Sequence, residues 1–425
     1  MLQVNQLRQD PDGVKRKLKV KNFEGVSLVD EIIQLDDERK TLQAEYDLAL
    51  SKMNAASKTI GTLIAQGKKQ EADQAKNEVA ALKPTLEPLK AKSAEIEIAL
   101  HNKLVLLPNL PQDIVPVGLD AQSNEVVKEV GNIPELPAGA KPHWDLIQEY
   151  KLVDFETGVK ITGRGFPLFT GQGAKLQRSL IQYFLDFNTD AGYTEFIPPF
   201  MVNEASAYAT GQLPDKEGQM YHVTADDFYL IPTAEVPVTN IYRDVILKQV
   251  ELPLKLTAYS PCFRREAGSF GKEVRGLNRV HQFEKVEIIQ IVHPSKSDAT
   301  LQEMIDHVEQ LLQSLELPYR ILRLCGGDLG FTSAITYDFE VYSAAQERWL
   351  EVSSVSNFET YQANRLKCRF KNDSGKTELV HTLNGSSLAL PRIFAALLEN
   401  NQSADGIKLP KALQRYFGKE QINLL

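Results

Sequence analysis

Residues 261–287 read PCFRREAGSFGKEVRGLNRVHQFEKVE, and this stretch decides the fold of the second half of the chain. Its two ends alternate like strands and its middle carries glycines, which predicts a strand, a loop and a return strand. The alternation places Phe283, Lys285 and Glu287 on one face of the return strand. We expect Arg264, at the end of the first strand, to point onto that face, where its planar guanidinium suits a phosphate or a carboxylate. Taken alone, the pattern is also typical of a solvated sheet face.

Two short polar stretches further along the chain carry candidate ligands. Residues 351–358, EVSSVSNF, offer short oxygen-bearing side chains, which suit Mg²⁺ better than a transition metal. Their spacing alone nevertheless favours an edge strand followed by a turn. Residues 384–392, NGSSLALPR, run into an apolar stretch with Pro391 in its first turn, which predicts a helix packed on the sheet. Arg392 lies near the start of that helix, where cations are disfavoured, so we expect an anionic group nearby.

The remaining pattern after residue 142 predicts an α+β domain. Strand-like runs follow one another with few crossover helices between them, which favours a mainly antiparallel sheet. Neither G-x-G-x-x-G nor G-x-x-x-x-G-K-[ST] occurs, so a nucleotide would bind on a sheet face. The predicted helices cover residues 174–190 and 299–315 and follow residue 388, and the predicted strands cover residues 228–231, 250–259, 281–292, 319–324, 336–342 and 349–353.

The first hundred residues carry two heptad seams joined by a polar turn at residues 67–69. Because the seams match in length within one chain, they predict an antiparallel coiled-coil hairpin whose first helix, over residues 28–65, is roughly 55 Å long. Pro84 and Pro88 lie inside the second helix and predict a kink or a local break. A heptad hairpin most often serves as a dimerisation or spacer element, and the mixed charge on its outer faces is typical of a solvated surface.

The composition is that of a folded globular protein. The chain has 425 residues, 43% hydrophobic and 24% charged, which is ordinary for two or three domains. Three scattered cysteines are too few for a disulfide framework or a structural zinc site and predict a reducing compartment. No run approaches 18 apolar residues and no signal peptide is predicted, so we expect a soluble cytoplasmic protein without a membrane partner. The net charge of −8 speaks against a generic nucleic-acid coat but allows one defined RNA at a local basic patch.

In this order, the stretches resemble the seryl-tRNA synthetases of the bacterial type, which are class II aminoacyl-tRNA synthetases. The resemblance covers the whole length and is most specific in TAEVP at residues 233–237, FRREAG at residues 263–268 and EVSSVSNF at residues 351–358. It implies an α+β protein whose class II catalytic domain is built on a mainly antiparallel sheet with flanking helices. The implied regions are an N-terminal tRNA-binding domain with the long helical hairpin (residues 1–107), a linker (residues 108–142) and the catalytic domain (residues 143–425).

The resemblance also implies which residues bind ATP. Arg264 and Arg392 would be the catalytic arginines, the first at the α-phosphate and the second at the outer phosphate. Glu266 would contact adenine, and Phe283 would stack on it. The implied ATP-binding residues are Arg264, Arg265, Glu266, Val280, Phe283, Glu351, Val352, Ser353, Ser354 and Arg392.

A metal pair, an amino-acid subsite and RNA contacts are implied in the same way. Glu351 and Ser354 would bind Mg²⁺ beside ATP, and no structural zinc is expected. Glu287 would contact the hydroxyl group of serine. The implied serine-binding residues are Thr233, Ala234, Glu235, Glu287, Thr382, Asn384 and Ser386. The residues implied to meet tRNA are Lys58, Lys68, Lys69 and Arg275.

The implied activity is that of a serine–tRNA ligase acting as a homodimer. ATP and L-serine would form seryl-adenylate and pyrophosphate, and the 3'-terminal ribose of tRNA(Ser) would then take the serine. A selenocysteine tRNA is a further candidate substrate. Two alternatives predict visible losses: a ligase that loads a carrier protein would lack the arm, and a non-catalytic paralogue would lack at least one of Arg264, Glu266, Glu351 and Arg392.

Overall fold

The computed structural model describes residues 1–267 and 275–424. The middle of the loop predicted within residues 261–287, with its glycines Gly268 and Gly271, lies outside the described residues. The chain divides into two compact units. The first contains Met1–Lys19 and Phe23–Pro108, and the second contains Val20–Asn22 and Asn109–Leu425.

A long antiparallel pair of helices dominates the first unit. The chain begins with the short helices α1 (Val4–Gln9) and α2 (Pro11–Val20), followed by α3 (Leu28–Ala65) and α4 (Lys69–Leu104). The first long helix therefore has its predicted bounds. Apolar residues at heptad spacing are buried where α3 and α4 pack, and most of the remaining positions are exposed. The predicted coiled-coil hairpin is confirmed.

Pro84 and Pro88 do not break the second long helix, so of the predicted kink or local break the break is wrong and the kink stays a prediction. The helix runs from Lys69 to Leu104 with both prolines inside it. Each proline removes the N–H that would bond the carbonyl four residues earlier, which belongs to Ala80 or Pro84. Both of these residues are exposed, so water can hydrate the freed carbonyls. Leu86 lies buried between the prolines, and this packing favours a continuous helix.

One buried carboxylate ties the N-terminal helix to the long hairpin. Asp36 of α3 is 3% exposed and accepts hydrogen bonds from Arg8 at 2.8 Å and from Arg39 at 2.7 Å, and it pairs with Lys40 at 2.8 Å. Burial acts to raise the pKa of Asp36, but the hydrogen bonds from Lys40, Arg39 and Arg8 outweigh it and lower the pKa to about 2. Because Arg8 belongs to α1, the ion pair fixes α1 against α3.

Among the described residues, the second unit contains one large sheet and four smaller sheets. Its strands are β1 (Glu125–Val130), β2 (Val153–Asp154), β3 (Leu168–Phe169), β4 (Thr194–Phe196), β5 (Met201–Asn203), β6 (His222–Val223), β7 (Phe228–Leu230), β8 (Ile246–Lys248), β9 (Leu254–Phe263), β10 (Gln282–Val292), β11 (Tyr319–Arg323), β12 (Ile335–Ser343), β13 (Arg348–Glu359), β14 (Arg369–Lys371), β15 (Thr377–Leu379), β16 (His381–Ala389), β17 (Gln402–Ser403), β18 (Gly406–Lys408) and β19 (Gln421–Ile422). Among the described residues, the large sheet has the order β1-β11-β12-β13-β16-β10-β9-β4, and its neighbours are antiparallel except for β4 and β9. The predicted mainly antiparallel sheet is confirmed.

Helices flank this sheet. They are α5 (His143–Glu149), α6 (Phe155–Ile161), α7 (Gly171–Asp190), α8 (Glu204–Thr210), α9 (Glu235–Thr239), α10 (Ser297–Ser314), α11 (Thr360–Leu366), α12 (Leu390–Asn400) and α13 (Lys411–Phe417). The amphipathic helices α10 and α12 pack against the large sheet and, with α7, supply much of the buried apolar core. No helix in residues 1–267 or 275–424 combines the length and the apolar content that a membrane span requires.

Two strands lie where sequence patterns did not place them. The strand that contains residues 351–358 is β13, which pairs with β12 on one side and β16 on the other. It is therefore a central strand, and the edge strand that its spacing favoured is wrong. The segment predicted as a linker contains β1, which pairs with β11 at the edge of the large sheet. β1 is largely exposed, and this explains why hydrophobic alternation does not reveal it.

Candidate active site

Residues of β10, β13, β16 and α12 line a cavity of about 550 Å³ in the second unit. Two of the predicted strands and the predicted helix thus supply its walls. The arginines and the metal pair implied by the resemblance share this one hollow, although they come from distant parts of the sequence. The predicted site residues that line it are Thr233, Glu235, Arg264, Glu266, Val280, Phe283, Glu351, Val352, Ser353, Ser354, Asn384, Ser386 and Arg392.

Arg264 enters the cavity just after β9 ends. Its guanidinium carbon lies 5.3 Å from the centroid of the Phe283 ring, and its Nε donates to the Pro232 carbonyl at 3.3 Å. The register between β9 and β10 is regular here, so Phe283 and Lys285 lie on the same cavity face, as the alternation predicted. The ring and the carbonyl orient a guanidinium whose planar fork suits a phosphate or a carboxylate.

The two residues after Arg264 differ in their relation to the cavity. Glu266 lines it, has a φ of +49° in the left-handed region, and accepts a hydrogen bond from Arg279 at 2.8 Å. Arg265, which the resemblance places at ATP, is exposed and lies outside the cavity lining. Its backbone N–H donates to the Gln219 carbonyl at 3.0 Å, so this position connects the strand end to a neighbouring loop.

Arg392 joins three parts of the site from the first turn of α12. Its Nε donates to the Asn278 carbonyl at 3.0 Å, and its Nη1 donates to the Glu351 carbonyl at 2.8 Å. The carboxylate of Glu351 lies 3.7 Å from the same Nη1. The anionic group that we expected near this helix start is therefore present, and it offsets the unfavourable helix dipole.

A β-bulge brings Glu351 and Ser354 to the same cavity. In a regular strand, residues three apart point to opposite faces of the sheet. The pairing of β12 with β13 shifts by one residue at Val352, so the strand carries one extra residue between them. Both residues line the cavity, and they are less buried than Val352 and Ser353 between them. Sequence spacing could not reveal this arrangement, because nothing local marks the bulge.

The oxygen atoms around this pair fit a magnesium ion. Asp338 lies opposite Ser354 in the register, and among the described residues its Oδ1 is buried without a hydrogen-bond partner. Burial, and then the nearby carboxylate of Glu351, raise the pKa of Asp338 well above its ordinary range, against a hydrogen bond from the Ser354 side chain that lowers it. A divalent cation would relieve this repulsion, and oxygen donors are those that Mg²⁺ prefers. No group of three His, Cys, Asp or Glu side chains in residues 1–267 and 275–424 forms a metal site by itself.

Glu287 lies behind the cavity wall and organises it. Its side chain is fully buried, and its Oε1 accepts hydrogen bonds from Thr233 at 3.1 Å and from Ser386 at 3.2 Å. It also pairs with Lys285 and accepts a hydrogen bond from the Asn384 amide. The register between β10 and β16 shifts between Lys285 and Glu287, so a second β-bulge lies beside these contacts. All four partners line the cavity, so this one carboxylate holds four of the lining residues in place.

Glu235 presents a second buried carboxylate in the first turn of α9. It is 8% exposed, and its Oε1 accepts a hydrogen bond from Nε2 of Gln362 at 2.6 Å. Burial raises the pKa of Glu235 to about 7, against the hydrogen bond from Gln362; Glu287 adds to the rise, while Lys285 and Arg264 oppose it. A buried carboxylate whose hydrogen-bond donor is neutral favours a cationic ligand such as an ammonium group.

The other predicted residues lie outside the cavity lining. Ala234 is fully buried, and Thr382 is 1% exposed with its hydroxyl donating to Oε1 of Gln362 at 2.8 Å. Arg275 is exposed, with its guanidinium carbon 4.6 Å from the centroid of a Trp144 ring. The predicted arm lysines are exposed residues of the first unit: Lys58, Lys68 and Lys69.

Sequence reasoning did not assign every residue of the cavity. Lys285 lines it and pairs with Glu287, and the alternation of β10 was a sufficient signal for it. Asn278 follows the loop after β9 without any local pattern that marks it. Tertiary folding alone adds a stretch of residues 212–219, from which the lining residues are Gln212, Glu217 and Gln219.

Known proteins match this chain over almost its whole length. Residues 1–111 match the family model of the seryl-tRNA synthetase N-terminal domain. Residues 221–401 match the family model of the tRNA synthetase class II core domain (G, H, P, S and T). The first match contains the helical hairpin, and the second contains most of the cavity.

Individual relatives span the full length as well. The serine–tRNA ligase of Salinibacter ruber is 49% identical over 424 residues, which cover 99% of each chain. The crystal structure of seryl-tRNA synthetase from Pyrococcus horikoshii complexed with ATP has a TM-score of 0.93 at 33% identity and covers 100% of both chains. The cytoplasmic serine–tRNA ligase from Naegleria fowleri in complex with AMP has a TM-score of 0.89 at 25% identity and covers 100% of this chain and 99% of that one. The chain therefore belongs to the seryl-tRNA synthetase family of ATP-dependent serine–tRNA ligases.

Proposed function

We propose that this serine–tRNA ligase binds serine and ATP side by side in the cavity, with acidic residues at the ammonium group and arginines at the phosphates. The observation that carries the proposal is the buried carboxylate of Glu235, with its raised pKa, in the same hollow as Arg264 and Arg392. An ammonium group would restore the charge balance that burial disturbs. The arginines would do the same for phosphate oxygens.

Three contacts would hold the amino acid. Glu235 would bind the ammonium group, and Arg264 would meet the carboxylate. Glu287, already bonded to Thr233 and Ser386, would act on the serine hydroxyl through these partners, which line the cavity. Alanine would leave buried polar groups unpaired, which can discriminate by about 10⁴. Threonine would be rejected because its extra methyl group exceeds the room in the pocket.

The nucleotide would lie against Phe283, which Arg264 already covers from one side. Adenine would stack on this ring, with Glu266 at its edge and Val280 in the apolar wall. Arg392 would meet the outer phosphate from the start of α12. Stacking and charge together would place the α-phosphate beside the serine carboxylate.

The reaction then needs positioning rather than a side-chain nucleophile. A carboxylate oxygen of serine attacks the α-phosphorus, a new oxygen–phosphorus bond forms, and pyrophosphate leaves. Arg264 offsets the repulsion between the two anions as they approach. In the second step, a hydroxyl of the terminal ribose of tRNA attacks the carbonyl carbon of the adenylate, and AMP leaves.

We propose that Glu351 and Ser354 hold Mg²⁺ at the ATP phosphates. The bulge that places both side chains in the cavity supports this assignment, as does the buried, unpartnered oxygen of Asp338 within the described residues. When bound, the ion would neutralise phosphate charge and orient the leaving pyrophosphate. The protein residues would fix its position, since serine and carboxylate oxygens leave room for water and phosphate ligands.

Serine-dependent pyrophosphate exchange tests the activation step directly. We expect rapid exchange with serine and exchange slower by orders of magnitude with alanine or threonine at equal concentration. Absence of exchange with serine would overturn the proposal. Comparable exchange with alanine would show that the hydroxyl is not recognised as proposed.

We also propose that the chain acts as a homodimer. Large apolar side chains are exposed on and beside the small sheet of β5 and β7, among them Ile197 at 86%, with Phe200, Met201 and Phe228. Exposed apolar residues that cluster in this way are typical of a protein interface. Sedimentation velocity should give a dimer at micromolar concentration, and the Ile197→Asp and Met201→Asp double variant should shift it toward the monomer. A monomeric parent protein would contradict the proposal.

For the RNA, we propose that the N-terminal domain over residues 1–107, with its helical arm, holds tRNA(Ser), while residues 143–425 catalyse and residues 108–142 link the two. Exposed lysines at the turn of the hairpin, Lys68 and Lys69, support contact with an RNA backbone. Arg275, exposed between β9 and β10 in sequence, would contact the acceptor end. A selenocysteine tRNA would be charged through the same contacts, and aminoacylation of each purified tRNA separately tests this point.

Each of the two rival functions predicted that a particular feature would be missing, and both features are present. A carrier-protein ligase would have no arm, whereas the long hairpin is present. A non-catalytic paralogue would have lost a key residue, whereas the cavity contains Arg264, Glu266, Glu351 and Arg392. We further propose that the enzyme acts in the cytoplasm, because its substrates ATP, serine and tRNA meet there.

A further inference from the structure

Gln362 lies in α11, outside every motif that the sequence singled out, yet it donates directly to the carboxylate of Glu235. The residue is 1% exposed. Its Nε2 donates to Oε1 of Glu235 at 2.6 Å and to the Thr210 carbonyl at 3.2 Å. Its Oε1 accepts the hydroxyl proton of Thr382 at 2.8 Å. Both amide hydrogens and the amide oxygen are therefore engaged.

These partners leave the Gln362 amide one orientation. A carboxylate and a backbone carbonyl only accept hydrogen bonds, so the NH₂ group must face Glu235 and Thr210. A reversed amide would place its oxygen against two acceptors in a buried site. The Thr382 hydroxyl supplies the one donor, and it lies on the side of the amide oxygen. The carboxylate of Glu235 is thus aligned by a group that cannot rotate away without losing three hydrogen bonds.

Other groups around the Glu235 carboxylate are already committed to different partners. Lys285 and Glu287, from β10, pair with each other. Arg264, after β9, lies over Phe283. The field of these three groups acts on Glu235, but the short hydrogen bond to its side chain comes from Gln362.

We propose that Gln362 is a positioning residue of the amino-acid subsite, which orients the Glu235 carboxylate toward the ammonium group of the bound amino acid. The inference rests on the proposed assignment of Glu235 to that ammonium group. Gln362 does not touch the substrate itself, because it lies behind the cavity lining. Thr382, which the resemblance placed among the serine-binding residues, acts one step further back by holding the amide of Gln362.

The substitution Gln362→Met tests the proposal, because it keeps the length of the side chain and removes all three hydrogen bonds. Loss of a hydrogen bond to a buried charged group corresponds to a rise of about 10- to 100-fold in the KM for serine in pyrophosphate exchange. The KM for ATP should stay within about twofold. The acid limb of kcat/KM for serine should also move to higher pH, because the hydrogen bond favours the charged form of Glu235.

Gln290→Met is the matched control. Gln290 is 1% exposed and donates to the Tyr193 hydroxyl at 2.9 Å, away from the cavity lining. This variant should lose thermal stability as Gln362→Met does, but it should keep the wild-type KM for serine and the wild-type pH profile. If both variants change the two KM values alike, the role of Gln362 is merely structural and the inference fails.

Thr382→Val provides a second variant, which replaces the hydroxyl with a methyl group of similar size. We expect a smaller rise in the KM for serine, about three- to tenfold, and no further rise when Thr382→Val is added to Gln362→Met, because Thr382 acts through Gln362. Additive effects would overturn this order of action. The wild-type enzyme separates the two hypotheses: if it shows no serine-dependent exchange, the proposed function fails, whereas wild-type exchange with an unchanged KM for serine in both variants refutes the inference alone.

Discussion

Charged side chains are common in both the helical arm (residues 28–104) and the proposed active-site cavity, but their surroundings differ. In the arm, a pair such as Asp73 and Lys76 joins neighbouring turns of one helix, and both side chains are at least half exposed. In the cavity, Glu287 is fully buried among four partners. An exposed pair contributes about 0–1 kcal/mol, whereas removal of one partner from a buried set costs about 3–5 kcal/mol. Removal of one charge from the arm should therefore have little effect, whereas removal of one charge from the cavity should have a large effect.

The largest effect should follow from removing the cavity arginine that lies over Phe283. We expect Arg264→Ala to slow serine-dependent pyrophosphate exchange by about 10³-fold, because a preorganised charged donor at the reacting phosphate is lost. Arg264→Lys keeps the charge without the planar fork and should recover only part of the rate. If Arg264→Ala slows the exchange less than tenfold, this arginine contributes no more to the reaction than an exposed charge on the arm.

Glu235→Gln should act on one substrate only. The change keeps the shape and removes the charge, so we expect the KM for serine to rise by about 100-fold, as when one member of a buried charge pair is lost. The KM for ATP should remain within about twofold. Equal changes in both KM values would mean that the carboxylate supports the whole cavity rather than the ammonium group.

The pKa of Glu235 predicts opposite trends for activity and stability with pH. In the proposed site serine binding needs the carboxylate, so kcat/KM for serine should rise about tenfold per pH unit up to a pKa of about 7 and then level off. Folding prefers the neutral acid. Because the folded pKa lies above the ordinary value of 4.5, this contribution to the free energy of unfolding is present below pH 4.5 and is lost as the pH rises through 7.

Exchange assays and urea unfolding at several pH values measure the two trends on the same protein. Glu235→Gln has no group that titrates at this position, so its kcat/KM for serine should lose the acid limb. If the limb persists unchanged in that variant, another group is responsible for the pH dependence.

Asp36 offers a test within the arm unit, because it is buried as the cavity carboxylates are. With a pKa lowered from 3.8 to about 2, its contribution to the free energy of unfolding is present above pH 3.8 and lost as the pH falls through 2. We expect Asp36→Asn to lower the free energy of unfolding by about 1–2 kcal/mol at neutral pH. Asp37→Asn is the control at an exposed neighbouring position and should cost less than about 0.5 kcal/mol. If urea titrations show that both variants lose the same free energy of unfolding, burial does not explain the difference between the two positions.

The smallest effect per residue is expected on the arm. The triple variant Lys58→Ala, Lys68→Ala and Lys69→Ala should lower kcat/KM for aminoacylation about fivefold and should weaken its salt dependence, because fewer counterions are released from the RNA. Pyrophosphate exchange should not change. A triple variant of three other exposed lysines, Lys76, Lys83 and Lys90, removes the same charge from the second helix and should affect aminoacylation less. A loss of exchange in the first variant would contradict the division between arm and cavity.

Local patterns predicted the arm and much of the sheet. The first long helix has the bounds Leu28–Ala65 that the heptads indicated, since each turn of a coiled coil repeats the same short-range information. Alternation along β10 placed Phe283 and Lys285 on the cavity face, because a strand in regular register has a period of two. The same local reasoning allowed a break at Pro84 and Pro88, and this was wrong, because packing of the helix pair and hydration of an exposed face keep the helix continuous.

Other features depend on contacts between distant residues. The spacing of residues 351–358 favoured an edge strand, but β13 is central and its bulge at Val352 brings Glu351 and Ser354 together. A bulge arises from pairing between strands, so no periodicity within one strand reveals it. Gln362 shows the same limitation, because its partners are separated from it in sequence by up to 152 residues.

By itself, the sequence determined which chemical groups this ligase possesses and which segments become the helical hairpin and the paired strands, because propensity and periodicity act over a few residues. The tertiary structure alone decided which groups share a cavity, how deeply each is buried and which of them are paired. Burial depends on the whole surrounding fold, and burial sets the pKa of Glu235 and the partners of Glu287. Local sequence patterns thus identify residues of the site, whereas the electrostatics of these residues are a property of the folded chain.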